Sequence, residues 1–418
     1  MLRIPVESRA SRTVSAWVEV DLGNIAHNVG AFRQRLPAAT RLTAVVKADG
    51  YGHGMLRVAR TALHAGAEEL AVATVHEGAA LRAAGLHAPI LIAGPVAPEE
   101  APLVVQHGLV PSVACFEVAA ALTRATRRFL PVQIEVDTGM TRHGVAAGEL
   151  ANFVKTLEER GRLSIAGVYT HFAGLSAQDL PAMRQQLQLF SSVVDSVQSL
   201  RGVRRHACNT LGALLLPDAA LDSVRIGGGL YGFDPLAGAG RIALRRALSL
   251  KAHVVGLRTA RAGERVGYGG EFVCRRPTRL ALLPIGYGDG LVRELWRGAE
   301  VLVRGRRAPI VGAISMNQTL VDVTDLPEIV FGEEVVLLGA MGDDEVTADE
   351  RVPAGGSAYE VTSVLSPRLP RLFVGSPLDA SSEANQERAA ADRAAADRAA
   401  GDRTAGPHSP ATPKSQAT

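Results

Sequence analysis

Eight short runs rich in Val, Ile and Leu recur between residues 42 and 226, and no other feature restricts the fold as tightly. They lie near Leu42–Val46, Leu70–Thr74, Ile90–Ala93, Leu109–Val113, Val132–Val136, Ile165–Tyr169, Val203–Ala207 and Ser223–Ile226. Most are apolar at successive positions, as strands covered on both faces should be. Helical segments fall between them. The clearest spans Gln186–Leu200, with Leu187, Phe190, Val194 and Val197 on one stripe. Strand and helix alternating in this way predict an α/β fold built on an N-terminal (β/α)8 barrel.

After Arg246 the rhythm changes. Leu248, Leu250, Ala252 and Val254 alternate with Ser249, Lys251, His253 and Val255, and runs near Leu280–Leu283, Val301–Val303, Thr319–Val323 and Glu334–Leu338 follow between Gly- and Pro-rich turns. This predicts an all-β second domain. From Asp379 onward there is no Val, Ile, Leu, Phe, Tyr or Trp, and Asp-Arg pairs at 392, 397 and 402 recur in alanine. With no apolar face to dock, that end is expected to be a disordered, solvated tail. The expected division is 14–246 for the barrel, 247–375 for the β domain and 376–418 for the tail.

A chain of 418 residues with a formal charge of +3 exceeds one ordinary core. It carries no basic cluster interleaved with aromatics, which argues against a nucleic-acid partner. Cys115, Cys208 and Cys274 form no CxxC pattern, Met1–Ala16 lacks an apolar signal core, and no apolar run reaches the ~18 residues of a membrane helix. A cytoplasmic protein without membrane contact or a bound metal is expected.

Only four lysines occur: Lys47, Lys155, Lys251 and Lys414. Lys155 falls off the apolar stripe of its helix, Lys251 lies on the polar face of a strand, and Lys414 is in the tail. Each reads as a solvated charge. Lys47 ends the first barrel strand, where barrels carry their active sites. Partial desolvation there favours a neutral, nucleophilic amine.

The run Ala44-Val45-Val46-Lys47-Ala48-Asp49-Gly50-Tyr51-Gly52-His53-Gly54 closely resembles the cofactor-attachment motif of alanine racemases, which use pyridoxal 5′-phosphate (PLP). Further matches follow in order, among them Asp137-Thr138-Gly139-Met140, Tyr169-Thr170-His171-Phe172, Cys208-Asn209-Thr210, Val224-Arg225-Ile226-Gly227, Gly286-Tyr287-Gly288-Asp289-Gly290 and Ala358-Tyr359-Glu360-Val361. Together they cover roughly residues 17 to 371. The resemblance implies a PLP-binding barrel followed by a β domain, in a head-to-tail homodimer with shared sites. It implies that Lys47 holds PLP covalently and that the phosphate meets Tyr51, Thr210, Tyr359 and amides near Gly227 and Gly228. It places Arg225 at the pyridine nitrogen, with His171, His206 and Asn209 orienting it and the ring. Arg142 and Met316 would receive the substrate carboxylate. Lys47 and Tyr287 would be the two proton carriers, Lys47 serving D-alanine and Tyr287, from the partner subunit, serving L-alanine. The product D-alanine would supply peptidoglycan. Racemisation needs two such groups because a single base mostly returns the proton to the face it came from.

The match departs in places. Glu135 stands where many family members have a lysine that becomes carbamylated, so it is expected to supply that negative charge itself and to pair with Arg142. Asn317 stands where aspartate often follows the methionine, which removes a charge near the pocket. Two other readings are a racemase of wider scope, acting on serine for example, and a non-catalytic PLP-binding protein of cofactor homeostasis. The latter normally lacks a β domain. A PLP decarboxylase would place a carboxylate, not Arg225, at the ring nitrogen. Borohydride reduction in the presence of PLP should put the pyridoxyl label on Lys47, and peptide mapping that finds it elsewhere would overturn this reading.

Overall fold

The computed structural model describes residues 14–236, 242–352 and 356–377. The chain opens on strand β1 (Ala16–Asp21) and a helix at Leu22–Arg35, started by Asp21, whose side chain accepts from the amide of Asn24. It then enters the expected rhythm through β2 (Arg41–Val45), β3 (Glu69–Val72), β4 (Ile90–Ile92), β5 (Val110–Pro111) and β6 (Leu130–Asp137). A short β7 (Val145–Ala146) runs beside the end of β6, and β8 (Leu163–Tyr169), β9 (Arg204–His206) and β10 (Ser223–Ile226) complete the set.

Apart from β7, the strands from β2 to β10 form a parallel ring. β10 pairs with β2, and the opposite seam closes where Ser112 bridges Gln133 and the amide of Val113 donates to the Gln133 carbonyl at 2.8 Å. The eight expected strands are therefore those of the barrel. The strongest helix runs over Leu180–Asp195, six residues earlier than its apolar stripe suggested, because Pro181 sits in its first turn, where a missing N–H costs nothing. It stops at Asp195, and Gln198–Leu200 is a separate 3-10 turn.

The second half contains β11 (Leu248–His253), β12 (Gly256–Ala260), β13 (Arg265–Val266), β14 (Phe272–Val273) and β15 (Thr278–Leu283). These are followed by β16 (Glu300–Val303), β17 (Arg306–Pro309), β18 (Thr319–Asp322), β19 (Glu334–Met341), β20 (Asp344–Val346) and β21 (Arg371–Val374). The main sheet has the order β17-β16-β19-β11-β1-β21, with β20 on β19, and β12-β15-β18 form a smaller one. Thus β1, which the expected division placed with the barrel, hydrogen-bonds instead between β11 and β21. An apolar run such as Trp17, Val18 and Val20 is equally suited to either layer, and its partners lie more than 200 residues away. The alternation in β11 is as expected, with Leu248, Leu250 and Ala252 buried. Lys251, however, is not a free solvated charge. It reaches Glu19 on β1 at 2.8 Å and Glu334 on β19 at 3.6 Å. Lys155 is exposed, 4.0 Å from Glu159. Lys414 and the proposed tail from Leu378 onward lie outside the described residues.

The described residues up to Gly375 form one compact unit, and the main apolar cluster runs from the barrel into the sheet of the second half, where two smaller clusters lie apart from it. Phe32 is buried in it under the glycine run after β10, where a Cβ at Gly229 would lie 2.7 Å from the Phe32 ring. Phe32→Ala should cost about 3–5 kcal/mol, read as a lowered midpoint in urea unfolding.

Candidate active site

The chain leaves β2 in a left-handed turn. Ala48, Asp49, Gly50 and Tyr51 have φ of 54°, 52°, 62° and 54°, a conformation costing roughly 1–2 kcal/mol for each non-glycine residue. The surroundings fix it. Glu77 accepts from the amide of Ala48 at 2.7 Å, Asp49 accepts from the amide of Met55 at 2.9 Å, and the Tyr231 hydroxyl donates to the Val45 carbonyl at 2.9 Å. The β half braces it as well. Arg371 donates to the Gly52 carbonyl at 3.3 Å, and a Cβ at Gly52 (φ +81°) would lie 2.0 Å from the carbonyl oxygen of Thr362. The turn aims Lys47 and Tyr51 into a cavity of about 630 Å³ at the C-terminal end of the barrel.

Lys47 Nζ makes no hydrogen bond or ion pair among the described residues. Burial lowers its pKa, the nearby cation of Arg142 adds to that, and Glu77 opposes it. A desolvated, unpartnered amine at a barrel mouth is poised for attack on a carbonyl.

One side of the cavity suits a phosphate. Tyr51 and Tyr359 meet edge to face at 5.9 Å, and burial raises both phenols, which keeps them as O–H donors. Gly227 and Gly228 must be glycines here, since a Cβ at either would lie 2.6 Å from the hydroxyl of Tyr51 or Tyr359. Thr210 lies beside them and its hydroxyl accepts from the amide of Gly229 at 3.1 Å. Asn209 caps the following turn through Gly212 and donates to the Phe172 carbonyl at 3.3 Å.

The cavity floor is a buried guanidinium. Arg225 donates to Nδ1 of His206, to the carbonyls of Thr170 (2.8 Å) and Ala207 (3.2 Å), and to Nδ1 of His171 at 3.4 Å. Because arginine only donates, both imidazoles must accept through Nδ1 and carry their proton on Nε2. That of His206 is then set to donate to Gln133 at 2.7 Å. Burial, aided by Arg225, holds both histidines neutral, His171 at about 3 and His206 well below its usual range. The Tyr169 ring packs under Arg225, 4.8 Å from the guanidinium carbon.

On the opposite wall, Asp137 accepts from the amides of Gly139, Met140 and Thr141 at 2.9–3.0 Å and builds the turn that presents Arg142. Glu135 is buried on β6. The expected pairing of Glu135 with Arg142 is not formed. Its carboxylate accepts instead from His143 Nδ1 at 2.9 Å and from the Tyr169 hydroxyl at 3.1 Å. With Thr141 at φ 52°, the turn carries Arg142 past the carboxylate and brings His143 onto it.

The cavity thus gathers Lys47, Tyr51, Glu135, Arg142, His171, Asn209, Thr210, Arg225, Gly227, Gly228 and Tyr359, with His206 behind Arg225. It does not gather Tyr287 and Met316. They lie in two loops joined by backbone hydrogen bonds, exposed by 41% and 57%. Sequence reasoning gave no role to His143, Tyr169, Gln133 or Glu77. The available signal for one of them, Gln133, was a polar residue two positions before Glu135 in the otherwise apolar strand β6.

The alanine racemase N-terminal domain model matches residues 20–235 and the C-terminal domain model residues 247–373. The chain belongs to the alanine racemase family. It is 39% identical over 367 residues to an alanine racemase of Symbiobacterium thermophilum, covering 86% of this chain and 97% of that one. It is 38% identical over 370 residues to one from a Nostoc species, covering 86% of this chain and 96% of that one. Among solved structures, an alanine racemase of Bacillus anthracis with bound L-Ala-P superposes with a TM-score of 0.81 at 33% identity, over 86% of this chain and 95% of that one. The alanine racemase of Streptomyces coelicolor gives 0.78 at 34% identity, over 87% and 99%.

Since Arg142 contributes to the lowered pKa of Lys47, Arg142→Gln should shift the pH midpoint of aldehyde capture by Lys47 upward. Absorbance titration with pyridoxal phosphate reads this, and an unmoved midpoint would show that burial alone sets the amine.

Proposed function

We infer that this family member interconverts L- and D-alanine with PLP held on Lys47, in a homodimer whose partner supplies Tyr287 and Met316. The unpartnered amine of Lys47, facing a phosphate-shaped cradle of hydroxyls and glycines, carries the reading. Two guanidinium groups, Arg142 and Arg225, line the cavity with the Lys47 amine against one carboxylate, Glu135, which favours anionic ligands. Tyr51, Tyr359, Thr210 and the amides near Gly227 and Gly228 would hold the phosphate. Arg225 would meet the ring nitrogen. When bound, PLP would draw electron density from the substrate Cα and so acidify its proton.

The protein's own groups do the rest. Arg225 cannot readily release a proton, so placed at the ring nitrogen it would leave that nitrogen unprotonated and restrain the electron sink, which would favour return of the proton to Cα. Arg142 and Met316 would fix the substrate carboxylate. Lys47 and Tyr287 would work on opposite faces of Cα, each taking the proton in one direction and giving it in the other. The exposure of Tyr287 and its absence from its own subunit's cavity accord with delivery to a partner. Residence in the cytoplasm accords with three unpaired cysteines, and the product D-alanine would serve peptidoglycan synthesis. No helix among the described residues is long and apolar enough to cross a membrane.

Chiral chromatography of L-alanine incubated with the protein and PLP should show D-alanine approaching equal amounts. L-Serine run beside it measures the breadth of the pocket. Tyr287→Phe should lower turnover by about 100-fold or more. Full PLP loading with no D-alanine formed would favour a cofactor-binding role instead.

A further inference from the structure

Tyr287 is exposed, yet the backbone beneath it is tightly held. It lies in the loop Gly286–Gly290 after β15, and Met316 lies in the loop Ser315–Gln318 before β18. Leu283 and Thr319 are register partners, so both loops leave the same end of one sheet. The amide of Tyr287 donates to the Ser315 carbonyl at 3.0 Å and that of Gly288 to the Met316 carbonyl at 2.8 Å. The approach is so close that a Cβ at Gly286 would lie 2.1 Å from the Ser315 carbonyl oxygen.

One buried carboxylate cross-ties the pair. Asp289 Oδ2 accepts from the amide of Gly286 at 3.1 Å and from Asn317 Nδ2 at 3.2 Å. Arg368 lies 3.4 Å from Asp289 Oδ1 and donates to the Gly288 carbonyl at 2.6 Å. At position 317 the side chain is an amide. An amide there can donate to Asp289, which a second ionised carboxylate could not.

We propose that Asp289 and Asn317 are positioning residues for racemisation: they lock the Tyr287 loop to the Met316 loop, so that phenol and carboxylate contact arrive at the substrate in one fixed relation. The inference rests on Tyr287 being one of the two proton carriers. Neither residue touches the substrate. Each acts by restricting where the phenolic oxygen can sit, and misplacement on the order of 1 Å is enough to depress a proton transfer heavily.

The test uses the PLP-loaded enzyme turning over D-alanine in D2O. Lys47 can remove the α-proton and return a deuteron on its own face without Tyr287, giving wash-out without inversion. Proton NMR reads wash-out and chiral chromatography reads inversion. Asn317→Ala and Asp289→Asn should each raise the ratio of wash-out to inversion about three- to tenfold, with KM for D-alanine within about twofold of wild type. In the cofactor-free protein, amide exchange over 286–290 should quicken about threefold or more in Asn317→Ala, with the barrel segments unchanged. Should Asn317→Ala fail to fold, Asp289→Asn decides. An unchanged ratio, or wash-out and inversion falling in proportion, overturns the proposal. Tyr287→Phe is the control. If it also leaves the ratio unmoved, the error lies in the role given to Tyr287.

Discussion

The left-handed turn after β2 is the constraint on which the site depends. Three non-glycine residues in that conformation cannot hold themselves there. Glu77 and Asp49 restrain it from the barrel side, and Arg371 and the backbone at Thr362 from the β half. The direction of Lys47 and Tyr51 is thus a property of both halves together. The β half does more than cover the barrel, because its Tyr359 also lines the cavity beside Gly228. Gly52, Gly227 and Gly228 are required for the same reason, that backbone and aromatic hydroxyls approach too closely for a Cβ.

A second feature is the one-way order of protons on the cavity floor. A donor-only guanidinium sets two imidazole tautomers, and one of these sets Gln133. Nothing in that chain needs to ionise, and the burial that lowers His171 and His206 reinforces it. Glu135 supplies the opposing charge through Tyr169, whose ring packs on Arg225 and whose hydroxyl bonds the carboxylate. The polar groups of the cavity floor therefore form one connected network rather than separate contacts.

The barrel was legible because its strands are buried on both faces and read as continuous apolar runs. Lys47 was legible because lysine is scarce here and one of the four ends a barrel strand. The place of β1 was not, since Trp17, Val18 and Val20 suit any covered strand and the choice is made by β11 and β21, far along the chain. The partner of Glu135 was hidden for a different reason. The family resemblance pointed to Arg142, but the backbone turns at Thr141, at positive φ, and His143 lies on the carboxylate. The helix at Leu180–Asp195 was located by its stripe while its start was hidden, because the first turn is set by proline chemistry and not by apolar period. The ties beneath Tyr287 were invisible because they join two loops across a sheet.

The pairing of β1 with β21 has a consequence for biosynthesis. The first strand among the described residues cannot find its parallel neighbour until more than 350 further residues have been made on the way to Arg371–Val374, and Arg371, which steadies the strained turn, sits on that late strand. The barrel can collapse early, as N-terminal segments do during translation. The turn that directs Lys47 therefore gains its brace from Arg371 only once the polypeptide closes on this early strand.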